Sequence, residues 1–285
     1  MPRSPFLVVL GISQDAGIPQ AGCRRACCRG ALRDHRLRRH AACLAIVDGP
    51  RRWLVDVTPD YPAQLEALDR RASGDGLAGI FLTHGHVGHY TGLIHLGREA
   101  QGARGVPVWA MPRMAAFLRR HAPWNQLVNL RNIALAPLAA GRAVRLGKRL
   151  KVTPVPVPHR SEYTETVGFR IEGPRRSALW IPDIDGWEKL RPALEEQVAG
   201  VDIAWLDATF YDARELPGRD IREVPHPRLR ETLARLAALP RRERAKIRFI
   251  HFNHTNPALR PGTPARRAVE RAGMSVAAEG QVALL

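Results

Sequence analysis

The stretch FLTHGHVGHYTGL, Phe81 to Leu93, places His84, His86 and His89 within six residues of a chain that has only 11 histidines. Imidazole nitrogens at this H-x-H-x-x-H spacing suit zinc, iron or manganese. The apolar residues before His84 read as a strand. A loop leaving its end can turn His84 and His86 toward one point, while His89, opening the next helix, approaches from another side. A single histidine is usually satisfied by backbone or water; three at this spacing argue for a metal. Gly88, between the last two, offers no ligand atom.

Three of the four cysteines form a second cluster, Cys23, Cys27 and Cys28, with Cys43 apart. The N-terminal MPRSPFLVVLGISQDAG has a short apolar run with no small-residue cleavage site after it, and reads as a first strand instead of a signal peptide. No apolar run approaches the ~20 residues that span a bilayer. A cytoplasmic protein without a membrane partner is expected. In that setting adjacent Cys27 and Cys28 suggest metal or redox chemistry before a disulfide framework.

A formal charge of +17 favours anionic partners, nucleic acid included. Yet the basic runs RDHRLRRH and LPRRERAKIR carry no interleaved aromatic residues for base stacking, and read as solvated surface. A small anionic substrate is therefore expected, nucleic acid is not favoured, and a homodimer stays open.

The elements that must position these residues follow from patterning. With 285 residues and 45% hydrophobic content, the chain can bury a full core. β-branched and apolar runs predict strands at about 6–12, 42–48, 53–57, 79–83, 106–110, 150–157, 166–172, 177–181, 201–206 and 246–252. Helical patterns fit about 60–70, 88–99, 112–121, 187–198, 226–238 and 264–272. In the fifth, Leu229, Leu233, Leu236 and Leu239 share one face. The fold class is α/β, a strand-rich sandwich of one domain.

THGHVGH resembles the T-H-x-H-x-D-H signature of the metallo-β-lactamase fold superfamily. The resemblance implies an αββα four-layer sandwich whose metal site lies at one edge between two mixed sheets, here over residues 1–285. It implies that His84, His86 and His159 hold one metal, that Asp183 bridges, and that His89 and His251 face a second. Asp185 is a rival to Asp183, and Asp56 matches the superfamily's structural aspartate near the site. The segments SQDAGIPQAGC, TPDYPAQL, GHYTGL and IHFNHTNP, between residues 13 and 257, are similar to the pyrroloquinoline quinone biosynthesis protein B family.

In that family, and in the related cyclic phosphodiesterase of phosphonate breakdown, an N-terminal C-x-C-x-x-C forms a structural zinc site. In the phosphodiesterase branch a histidine three residues after the last catalytic ligand completes it. This chain has His254 at that offset. Cys23 and Cys28 match the outer cysteines, but Arg25 stands in the middle and Cys27 is the available replacement. The implied site is Cys23, Cys27, Cys28 and His254, tying down a loop over about 13–40. Adjacent cysteines can share one ion only with a constrained backbone.

WLDATFYDARELPGRDIREVPHPRLRETL resembles the acid-plus-histidine pair of the superfamily's RNA-processing and phosphodiesterase members. On that likeness Asp207 orients His226, which donates a proton to the leaving group, with Asp183 completing the catalytic set; alternatively His226 only starts a helix between two prolines. The superfamily normally has aspartate at 88. Either Asp185 or water fills the gap left by Gly88, or one ion binds strongly and a second weakly. The expected cofactors are one or two active-site divalent ions (Zn, Mn or Fe) and a structural zinc. The implied activity is a metal-dependent hydrolase of small anionic esters, above all phosphodiesters. The alternatives are a non-haem iron oxygenase maturing a peptide-derived quinone cofactor, and a non-catalytic metal carrier.

Overall fold

The structure is a computed structural model that describes residues 4–74, 76–215 and 223–285. Its strands are β1 Phe6–Gly11, β2 Cys43–Asp48, β3 Arg51–Val55, β4 Gly79–Phe81, β5 Val106–Ala110, β6 Ile133–Pro137, β7 Val144–Leu146, β8 Leu150–Pro156, β9 Val167–Glu172, β10 Ser177–Ile181, β11 Ile203–Asp207, β12 Ile247–Ile250, β13 Ser275–Val276 and β14 Val282–Leu284. They form two seven-stranded sheets, ordered β14-β1-β2-β3-β4-β5-β6 and β13-β12-β11-β10-β9-β8-β7. Each is mixed: β3 to β6 run parallel after an antiparallel beginning, and β10 to β13 run parallel beside an antiparallel half.

The helices are α1 Ala26–Arg33, α2 Tyr61–Asp69, α3 Val87–Tyr90, α4 Pro112–Arg120, α5 Trp124–Asn129, α6 Leu194–Ala199, α7 Leu229–Leu236, α8 Arg241–Arg244 and α9 Pro264–Arg271. Three cores define the four layers. Leu7, Val9, Trp53 and Phe81 of the first sheet meet Phe169, Trp180 and Trp205 of the second. Val8, Leu10, Leu54 and Ile80 turn outward beneath Tyr61, Leu68, Met114 and Leu118. On the far side Ile181, Leu206 and Phe249 pack under Leu194, Val198, Leu229 and Val269. Central strands are thus covered on both faces, which is why β1 and β2 read as unbroken apolar runs, not alternating ones. Among the described residues no helix is long and apolar enough to cross a membrane.

Two predicted helices change form. The segment at 88–99 is the single turn α3 followed by a 3₁₀ segment, Thr91–Leu96, because Gly92 packs against the Thr58 carbonyl where no side chain fits. The segment at 187–198 breaks into a 3₁₀ turn, Trp187–Lys189, and α6, because Pro192 lies between them and cannot donate a helical hydrogen bond. The short or half-exposed β6, β7, β13 and β14, with α1, α5 and α8, were not predicted; their patterns are too brief or too polar to register.

The topology gathers one set of strand ends. The pairings run β1, β3 and β4 in one direction, and β8, β10, β11 and β12 in one direction within the other sheet. Asp15, Asp56, His84, His159, Asp183, Asp207 and His251 all end or follow those strands.

Candidate metal centre

His84, at 1% exposure, and the half-buried His86 leave β4 together. His84 Nε2 lies 3.0 Å from His86 Nδ1, which is 3.0 Å from His159 Nε2. Asp183 Oδ2 is 3.4 Å from His84 Nε2 and 3.2 Å from His159 Nε2. Four ligand atoms around a tetrahedral ion at about 2.0–2.1 Å would stand roughly 3.3 Å apart, so this donor set has the dimensions of a zinc-sized cavity.

The same Asp183 Oδ2 lies 3.9 Å from both His89 Nε2 and His251 Nε2. Those two nitrogens converge on a residue that sequence reasoning did not single out. Asp15 Oδ1 is 3.3 Å from His89 Nε2 and 3.6 Å from His251 Nε2. Among the described residues all three atoms are buried without a hydrogen-bond partner, as is Asp183 Oδ1. Buried polar atoms are rarely left unsatisfied, and a cluster of them fits a divalent cation. Burial alone would raise the Asp15 carboxyl, but the His251 and His89 imidazoles beside it hold it well below the usual carboxylate range. Asp183 is held down in the same way, by His159, His251 and His226 against its burial. Asp15 follows β1 in a turn closed by the Gly17 amide donating to the Gln14 carbonyl. The signal was present, an acid in SQDAG just past a strand, but its partners lie some 70 and 230 residues away.

The outer ring nitrogens are all held. His84 Nδ1 meets Thr83 Oγ1 at 3.0 Å, His89 Nδ1 meets Asp56 Oδ2 at 2.7 Å, His159 Nδ1 meets Asp185 Oδ1 at 2.7 Å, and His251 Nδ1 meets Thr209 Oγ1 at 2.9 Å. His86 is reversed, with its Nε2 3.2 Å from Glu162. Such partners fix tautomer and ring plane so that the inner lone pairs face the ion. Asp185 therefore stands behind His159 instead of in the gap left at residue 88. Asp56 and His251 adopt φ of 65° and 63°, left-handed backbone that turns each chain sharply at its strand end.

The structure also brings His226 and Asp207 together. His226 Nδ1 lies 2.9 Å from Asp207 Oδ2 and 3.5 Å from Asp183 Oδ1. Asp207 is anchored further by the Ile184 and Thr209 amides. Burial would lower the His226 pKa, yet the Asp207 and Asp183 carboxylates outweigh it and raise the group above its ordinary value.

The second cluster assembles with both adjacent cysteines. Cys23 Sγ lies 3.7 Å from Cys27 Sγ, and His254 Nδ1 lies 3.4 Å from Cys27 Sγ and 3.3 Å from Cys28 Sγ. The four donors fall within 4.8 Å of one another. Cys27 and Cys28 open α1, and burial pushes the Cys28 thiol up to about 12, so a bound cation is what would hold it as a thiolate. That helix start is the constrained backbone the adjacent pair requires.

Residues 51–252 match the model of the β-lactamase superfamily domain. The chain belongs to the β-lactamase superfamily. Among curated members of this superfamily it is 30% identical to coenzyme PQQ synthesis protein B of Methylobacterium nodulans, over 96% of this chain and 97% of that one. The zinc-bound crystal structure of PqqB from Methylobacterium extorquens shares the fold, with a TM-score of 0.78, 24% identity and coverage of 98% and 100%. A diphosphatase from the PhnP family aligns with a TM-score of 0.70 and 25% identity over 99% of this chain and 97% of that one.

Proposed function

We propose that the protein is a metal-dependent hydrolase of small anionic esters, phosphodiesters first among them. The observation that carries this reading is Asp183. One of its oxygens faces four imidazole nitrogens, and the other lies beside the His226–Asp207 pair. A divalent ion held by His84, His86, His159 and Asp183 would take a fifth ligand, and would then bring a bound water toward a neutral pKa or polarise a phosphoryl oxygen. His226, fixed through Nδ1 by Asp207, keeps its other nitrogen to protonate a leaving oxygen. A 460 Å³ cavity beside His86 is lined by Asp15, Tyr90, Phe117, Arg160 and Tyr163. The buried Nε of Arg160 has no partner among the described residues, and suits an anionic oxygen. Likeness to a diphosphatase supports a phosphoryl substrate.

A second reading, an iron-dependent oxygenase in maturation of a peptide-derived quinone cofactor, draws on the full-length similarity to PQQ synthesis protein B. One assay separates them. Protein loaded with zinc or manganese is expected to cleave bis-(p-nitrophenyl) phosphate. Ferrous-dependent oxygen consumption without esterase activity would overturn the hydrolase.

A further inference from the structure

Gly88 leaves the second half of the centre, at His89 and His251, without the carboxylate that an aspartate there would supply. The surroundings of Gly88 show why none fits. A Cβ built on it would overlap the Asp15 carboxylate and Cα, and would lie 2.6 Å from Asp15 Cβ. The overlap includes backbone, so a change of Asp15 rotamer would not relieve it. Asp15 thus occupies the volume a residue-88 side chain needs, and its Oδ1 meets the same two imidazoles.

We propose that Asp15 supplies the carboxylate of a second metal position, formed by Asp15, His89 and His251 with Asp183 Oδ2 shared between the two ions. The ligand has moved from the histidine motif to the N-terminal segment. This rests on the reading that the centre holds divalent metal, and adds which residue completes it. Three features support the assignment beyond proximity. Among the described residues His89 Nε2, His251 Nε2 and Asp15 Oδ1 are each buried without a hydrogen-bond partner. Their outer nitrogens are already committed to Asp56 and Thr209. The backbone holds Asp15 in place: Ser13 bridges Ala41 and Phe252, and the Gln14 amide donates to the Phe252 carbonyl at 2.9 Å, one residue after His251. Asp15 and Gly88 are therefore a matched pair: with the backbone of residue 15 in this place, residue 88 has no room for a side chain.

The test is metal content after chelation and reloading with zinc, read by elemental analysis and by competition with a chromophoric chelator. The wild-type chain should carry two ions beyond the thiolate zinc. Asp15→Ala and Asp15→Asn should each lose one, with second-site affinity down about 100-fold or more, beyond the 10–100-fold typical of outer-shell partners. Gly88→Asp alone should gain no ion and should lower Tm. Both Asp15 variants should keep the thiolate zinc and the wild-type circular dichroism, which a merely misfolded N-terminal segment would not. Asp15 variants that keep both ions, or a wild-type chain with a single active-site ion, would overturn the proposal. A wild-type chain with no active-site ion would also overturn the hydrolase reading.

Discussion

His251 and His254, three residues apart after β12, face two different donor clusters. His251 Nε2 lies 3.6 Å from Asp15 Oδ1, and His254 Nδ1 lies 3.3 Å from Cys28 Sγ. The N-terminal segment divides the same way, with Asp15 on one cluster and the cysteines on the other. Between them Phe252 exchanges backbone hydrogen bonds of 2.9 Å with Ile12 and Gln14. An ion bound by the cysteines and His254 would therefore staple the loop that carries Asp15.

Cys28→Ser should remove that staple. A ligand bound a thousand-fold above its Kd stabilises the native state by about 4 kcal/mol. At about 2–4 °C per kcal/mol for a chain of this size class, Tm should fall by roughly 10 °C. Zinc content should drop by one ion per chain. Unchanged zinc and Tm would mean that these thiols hold no metal.

His226→Ala should lower kcat about 10²–10⁴-fold on a phosphodiester with an alkoxide leaving group. The loss should be much smaller on p-nitrophenyl esters, whose leaving group departs without a proton, and metal content should not change. The Asp207 and Asp183 carboxylates raise this histidine's pKa. Its acid form is therefore complete below that pKa and lost as pH rises through it, so the wild-type rate should fall on the alkaline side. The variant should lack that limb. An alkaline limb that survives in His226→Ala would assign it to another group.

The sequence carried the site's inner face better than its supports. Central strands buried on both sides announce themselves as apolar runs, and the histidine motif sits at the end of one of them. Asp15 stayed hidden because its role depends on two contacts remote in sequence and on a collision with Gly88 that only coordinates show. Gly88 read as a missing ligand; spatially it is the room that Asp15 needs. Thr83 and Thr209 were equally silent, since a side chain that orients another leaves no spacing pattern, and Asp185 read as a rival ligand although it stands behind His159. The break at Pro192 could have been read in advance from proline chemistry.

Asp56→Asn isolates charge from shape. Asp56 accepts from the Thr83 amide at 2.8 Å and from Thr83 Oγ1, and holds His89 Nδ1 at 2.7 Å. Its φ of 65° is one that asparagine also tolerates. The variant should fold and keep the turn, while affinity at the His89 side of the centre falls about 10–100-fold, as for other outer-shell partners. Titration of reloaded protein by calorimetry reads it. Loss of affinity only at the His84 side would contradict the contact.

Asp183 and Asp185 are two residues apart and carry different duties, which their amides should separate. Asp183 Oδ2 lies within 3.9 Å of four imidazole nitrogens, whereas the Asp185 carboxylate meets the outer nitrogen of His159, at 2.7 Å. Asp183→Asn removes the one negative charge common to both halves, and should strip active-site metal altogether with the thiolate zinc retained. Asp185→Asn leaves every inner donor in place. Its amide can still accept from His159 Nδ1, so the ring keeps its orientation and loses only basicity. Metal should then remain, bound up to about 10-fold more weakly at the His159 side, the low end of the outer-shell range. Asp185→Ala, which frees the ring to turn, should cost more than the amide. Were Asp185→Asn to empty the centre and Asp183→Asn to spare it, the bridging role would belong to Asp185, and the geometry around Asp183 Oδ2 would need another explanation.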